Sequence, residues 1–290
     1  MGVIYSSAEL SRGHIPSECG HIEAAQSLVS EVPRLGGVVL TIVHGSVSEG
    51  RFNMRSDLDV AVTYIAETPA DEYEVVDGIK AVLDRTEQKT HVKVESNIWP
   101  TDEPIAARSE RMYDRLFANH LADSMLDANW SIGLSDSMIS KISAMPVNID
   151  KVMYNYLTYK HGGVTKAPRY FNSADSRSTL AMQRILELPK ALGRKVAQSG
   201  GDLHPECTDG FQGALESVDM SDTFRDSVQT LRTIDGDYSG LLKDYVSLGP
   251  TISCAEVSEY EAWLADRYRV ALAAGVVAVS SFTRHFAQSS

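Results

Sequence analysis

Residues 38–64, "VVLTIVHGSVSEGRFNMRSDLDVAVTY", decide how this chain is read. Val38 to Val43 is a short β-branched run, which is strand composition. Gly45-Ser46 interrupts it, and ten residues separate that pair from Asp57. Asp57 to Tyr64 is a second strand, in which Leu58, Val60 and Val62 alternate against Asp59, Ala61 and Thr63. Two acids therefore sit within an otherwise apolar element. Alternation puts Asp57 and Asp59 on one face, about 7 Å apart along a strand. Strands are poor in Asp, and like charges that share a sheet face repel. The competing structural reading is a solvated strand edge or a turn. A bound cation compensates the pair more simply, and a divalent magnesium ion with oxygen ligands suits it best.

Outward from this stretch, apolar residues Ile22, Ala25, Val29 and Val32 recur at helical spacing up to Pro33. Thr68-Pro69 opens a helix that carries Val76, Ile79 and Leu83 on one face. Lys89 to Trp99 reads as a third strand, with Val92 and Val94 on one side and His91, Lys93 and Glu95 on the other. Beyond Pro100 the pattern is helical: 103–128, 150–161, 176–198, 221–233 and 256–286. Asp150 and Gly162 read as cap and terminator of one helix, and Pro189 as a kink in another. The expected class is α+β. A sheet-bearing lobe spans residues 1–100 and a helical lobe spans residues 101–290.

Composition narrows the function classes. The chain of 290 residues is 43% hydrophobic and 23% charged, which is ordinary for a globular protein large enough for two lobes. Cys19, Cys207 and Cys254 are odd in number and widely spaced, so neither a disulfide framework nor a zinc motif is expected. The start lacks the basic-then-apolar pattern of a signal peptide. The longest apolar run, Val270 to Val279, is about half the length of a membrane span. A cytoplasmic protein without a membrane partner is expected. The net charge of −12 repels phosphate polymers. It favours a cationic small molecule, a protein, or a nucleotide neutralised by metal.

Glu95, on the next strand, extends the carboxylate patch if its strand lies beside that of Asp57 and Asp59. Three anions call for more than one positive charge, as in a two-metal site acting on a phosphate substrate. There Glu95 could ligate metal or take a proton from an attacking hydroxyl. Gly45 permits a tight turn and close approach to a ligand. With a helix start near Ser46, free N–H groups and the Ser46 hydroxyl would cradle an anion.

The arrangement strand, Gly-Ser, ten residues, Asp-Leu-Asp, strand resembles the signature of the DNA polymerase β-like nucleotidyltransferase superfamily. Its small members, such as the aminoglycoside nucleotidyltransferases, also suit Gly50 in the loop and Ser56 before the first acid. The resemblance covers roughly residues 36–100. It implies a small mixed sheet with flanking helices. It further implies transfer of a nucleotidyl group from a nucleoside triphosphate to an acceptor hydroxyl, with two magnesium ions and release of pyrophosphate. On that likeness Gly45 and Ser46 bind phosphates and Asp57 and Asp59 bind metal. Glu95 matches the third acid more loosely. His44 precedes the glycine where such proteins carry an apolar, aromatic or small residue, and it receives no role.

Cations should assist. Arg51 and Arg55 lie between the halves of the motif, and Lys93 is placed on the face of Glu95. In the helical lobe "YNYLTYKHGGVTKAPRY", residues 154–170, gathers Lys160, Lys166 and Arg169 among tyrosines. Arg55 and Lys160 are the basic candidates for holding the nucleotide. The plainer alternative is a solvated helix end. Tyr260, Trp263 and Tyr268 read as packing residues. Three functions compete: transfer to a small, cationic hydroxylated acceptor such as an aminoglycoside; the same chemistry on tRNA, a protein or a second nucleotide; and a binding module without chemistry. RNA is not favoured by the overall charge, and the intact acid pair argues against a mere binding module.

Overall fold

The computed structural model describes residues 2–17, 19–100, 130–132, 149–199, 213–248 and 252–288. They divide into two compact units, one of Pro16–Asn148 and one of Met1–Ile15 with Ile149–Ser290.

The first unit is built on a four-stranded mixed sheet in the order β3-β2-β1-β4. Its strands are β1 (Val38–His44), β2 (Leu58–Tyr64), β3 (Val94–Pro100) and the two-residue β4 (Ser131–Ile132). β1 runs antiparallel to β2 and β4, and β2 runs parallel to β3. The parallel pair requires a crossover, which helix α3 (Pro69–Thr90) supplies. Its start is fixed by a capping box, in which the Thr68 hydroxyl accepts the Asp71 N–H and the Asp71 carboxylate accepts the Thr68 N–H, with Pro69 in the first turn. Helix α2 (Gly20–Glu31) ends in a 3-10 turn, Val32–Arg34, that accommodates Pro33.

One face of the sheet is apolar and lies against these helices. Val43, Leu58, Val60 and Val62 share a buried core with Ala25, Leu28, Ile79 and Val82. Cross-strand partners share a face, so His44, Asp59 and Glu95 form one row across β1, β2 and β3 on the opposite face.

The second unit is helical. It contains α1 (Ser7–Ser11), α4 (Ile149–Thr165), α5 (Ser176–Leu186), α6 (Leu188–Ser199), α7 (Asp222–Ser247) and α8 (Cys254–Gln288). Its N-terminal segment is held by a buried tyrosine clamp. The Tyr5 N–H donates to the Tyr238 hydroxyl at 2.9 Å, and the Tyr260 hydroxyl donates to the Tyr5 carbonyl at 2.8 Å. Tyr260 and Tyr268 are fully buried, as packing residues should be.

Three sequence expectations are corrected in detail. The third strand begins at Val94 rather than Lys89, because α3 continues to Thr90 and His91 caps it in the left-handed conformation at φ 58°. Gly162 does not end its helix, which continues through Gly163 to Thr165. Pro189 stands in the first turn of a separate helix, α6, where its missing N–H costs nothing, so 176–198 is broken rather than kinked. The helix expected over 103–128 lies outside the described residues.

Candidate active site

Asp59 stands level with Glu95 in the parallel register of β2 and β3. Asp57 precedes β2 by one residue. Carboxylate oxygens of Asp57, Asp59 and Glu95 all lie within 4.8 Å of one another. Among the described residues this is the one group of three His, Cys, Asp or Glu side chains that could hold a metal ion. Asp57 and Asp59 are half-buried and Glu95 is exposed, so the cluster has a sheltered base and an open side. Three acidic oxygen donors at this separation repel one another. They match the ligand set of a hard divalent cation, and the donor chemistry fits such an ion.

β1 delivers Gly45 beside this cluster. Its φ is +74°, a left-handed value that glycine adopts without strain. A Cβ built on Gly45 would collide with the Asp59 carboxylate. The glycine is therefore required twice, for its backbone angle and for the space it leaves. The chain then makes a run of turns over 45–50, not the regular helix expected from Ser46. The Glu49 N–H donates to the Gly45 carbonyl at 3.2 Å and the Arg51 N–H to the Ser46 carbonyl at 2.9 Å. Within the hydrogen bonds of the described residues Ser46 takes part only through that carbonyl.

The loop that carries Asp57 is braced from behind by a residue that the sequence reading passed over. His21 of α2 is buried, and its Nε2–H donates to the Ser56 carbonyl at 2.8 Å. The ring also lies 5.1 Å from that of Phe52. Burial pushes the His21 pKa below 6.5, partly offset by the bond to Ser56, and leaves the ring neutral. The Ser56 N–H donates to the Asn53 carbonyl at 2.8 Å, and the Asn53 N–H donates to the Ser56 hydroxyl at 3.0 Å. The signal was a histidine in line with Ala24, Ala25 and Leu28 on the buried face of α2. The identity of its partner, 35 residues away, is written nowhere in the local pattern.

Arg55 is buried in the loop, with its N–H held by Asn53 Oδ1 at 2.8 Å. Arg51 pairs with Glu49. Lys93 directly precedes β3, and its Nζ reaches Glu87 of α3 at 3.0 Å. Lys160 belongs to α4 of the helical unit, with its Nζ 6.0 Å from the centre of the Tyr159 ring. His44 is buried opposite Asp59 in the register of β1 and β2.

Residues 25–114 match the family described as "Nucleotidyltransferase domain". The match takes in both halves of the Gly-Ser/Asp-x-Asp pattern and the strand that carries Glu95. No curated protein matches the chain significantly. Among the described residues no helix is long and apolar enough to cross a membrane.

Proposed function

We propose, from the premise that residues 25–114 form a nucleotidyltransferase domain, that this chain moves a nucleoside monophosphate from a nucleoside triphosphate to an acceptor hydroxyl with release of pyrophosphate. The convergence of Asp57, Asp59 and Glu95 beside the Gly45-Ser46 turn is the observation that carries this reading. Asp57 and Asp59 would hold magnesium, two ions with the help of Glu95. The metal would neutralise the triphosphate and lower the pKa of the acceptor hydroxyl. Ser46 donates to a phosphate oxygen through its N–H and hydroxyl, and Gly45 lets that oxygen approach the backbone. Glu95, on the open side, would receive the proton of the acceptor. Arg55 and Lys160 are the proposed cationic contacts to the nucleotide.

The acceptor proposed is a small, cationic, hydroxylated molecule such as an aminoglycoside, which the charge of −12 favours. The cytoplasm is the proposed compartment, consistent with Cys19 and Cys254 as exposed free thiols. An RNA acceptor is the second reading. It is favoured by residues 151–174, which hold no acid, and by exposed Tyr159 and Tyr170 among the cations there. The test incubates the protein with magnesium and each α-labelled nucleoside triphosphate, with a cell extract split into small-molecule, RNA and protein fractions. Label in the small-molecule fraction supports the first reading and label in RNA the second. Equal labelling by an Asp57→Ala/Asp59→Ala protein would contradict both.

A further inference from the structure

We propose that Glu87 is a positioning residue for the metal site, holding Glu95 level with Asp59 by gripping the backbone of the chain that enters β3. This rests on the reading of Asp57, Asp59 and Glu95 as metal ligands. Glu87 touches none of the reacting groups. It lies one turn before the end of α3, the helix packed on the sheet face opposite the acids. His91 ends that helix and donates its N–H to the Glu87 carbonyl at 2.8 Å. Only residues 91–93 then separate α3 from β3.

Over this short link the Glu87 carboxylate reaches forward. Its Oε2 accepts the Val94 N–H at 3.1 Å, and its Oε1 accepts the Lys93 ammonium at 3.0 Å. The carbonyl of the same Lys93–Val94 peptide accepts the Leu58 N–H at 2.8 Å. That peptide is thus tied at both ends, to β2 by its C=O and to α3 by its N–H. The geometry explains why a side chain is needed. The C=O and N–H of a trans peptide point in opposite directions. With the C=O toward β2, the Val94 N–H faces the other side of β3, which is the edge strand among the described residues. No further described strand is there to accept it, and the Glu87 carboxylate takes the place of one.

This rung sets the register. Leu58 pairs with Val94, and the next step pairs Asp59 with Glu95. A slip of one residue would move Glu95 to the helix-covered face and remove it from the cluster. The ion pair with Lys93 is half-exposed and contributes little energy by itself, so the acceptor oxygen for Val94 is the part of Glu87 that matters to the site.

The test is Mn2+ binding to the full chain, followed by the electron paramagnetic resonance of free Mn2+. It compares the wild type with Asp59→Ala, Glu87→Ala and Glu87→Gln, and melting temperatures are measured on the same samples. The wild type should bind and Asp59→Ala should not. Glu87→Ala should bind on the order of 10-fold more weakly, as expected for loss of a group that orients a ligand. Glu87→Gln should bind like the wild type, because its amide oxygen still accepts the Val94 N–H. Hydrogen exchange at the Val94 amide should accelerate in Glu87→Ala and not in Glu87→Gln. Wild-type affinity in Glu87→Ala, with binding lost in Asp59→Ala, overturns the role of Glu87 alone. So does a well-folded Glu87→Gln protein with weakened binding. Equal binding by the wild type and Asp59→Ala would contradict the metal site itself, and this role with it.

Discussion

Gly45 and Asp59 occupy adjoining space: the α-carbon of the glycine faces the aspartate carboxylate so closely that no side chain fits between them. The two residues come from neighbouring antiparallel strands, where His44 pairs with Asp59 and Gly45 follows at the strand end. This contact joins the two halves of the sequence signature. The Gly45 turn and the Asp59 carboxylate adjoin, so in the proposed function a triphosphate held by the first would meet a cation held by the second.

Gly45→Ala should therefore fail twice. The left-handed φ of +74° costs a non-glycine residue about 1–2 kcal/mol. The new methyl also displaces the Asp59 carboxylate, and misplacement of a reacting group by about 1 Å can cost roughly 100-fold in rate. Transfer assays and chemical denaturation on one preparation check both. A variant of wild-type rate would show that the close approach has no catalytic purpose.

Asp57→Asn and Asp59→Asn should each lower transfer by roughly 1000-fold or more, since several kcal/mol of transition-state charge stabilisation are lost. The fold should survive, because each change removes like-charge repulsion from the cluster. Magnesium should raise the melting temperature of the wild type and leave both variants unmoved. Equal thermal shifts in all three would place the metal elsewhere.

His21 predicts a particular pH dependence of stability. Its folded pKa is lowered by burial, so the unfolded ring takes up a proton near 6.5 while the folded ring does so only at lower pH. The stability tied to the neutral ring is complete above about 6.5. It is lost as pH falls from there through the folded value. Melting temperatures between pH 8 and pH 5 should fall less steeply for His21→Gln, which still offers a donor to the Ser56 carbonyl. Parallel curves would remove His21 as a source of the acid sensitivity.

Tyr260→Phe removes the donor to the Tyr5 carbonyl within the buried tyrosine clamp. Loss of this buried hydrogen bond should cost about 1–3 kcal/mol. The N-terminal segment should then become an early site of proteolysis. Unchanged denaturation would mean that the segment is held by its apolar contacts alone.

Much of the sheet was legible because its signals are local. The alternation of Leu58, Val60 and Val62 against Asp59 fixed β2 and the face of its acids. The Thr68-Pro69 start of α3 follows from cap chemistry that four residues contain. The start of β3 was misplaced because residues 89–93 have strand-compatible composition, while a left-handed His91 ends the preceding helix two residues later than expected. What the sequence did not disclose are the groups whose meaning depends on a distant partner. His21 matters through Ser56, and Glu87 through the Val94 N–H. Neither residue type nor spacing announces a backbone amide as its target. Gly45 is the opposite case, since its side-chain requirement is stated by its own identity.

The central claim is transfer of the α-phosphoryl group with its nucleoside. The most direct measurement supplies the protein, magnesium and an acceptor fraction with triphosphate labelled at either the α or the γ position. The account predicts α-label on the acceptor and γ-label recovered in pyrophosphate, both abolished in Asp59→Asn. Appearance of γ-label on the acceptor, or its release as orthophosphate, would contradict it.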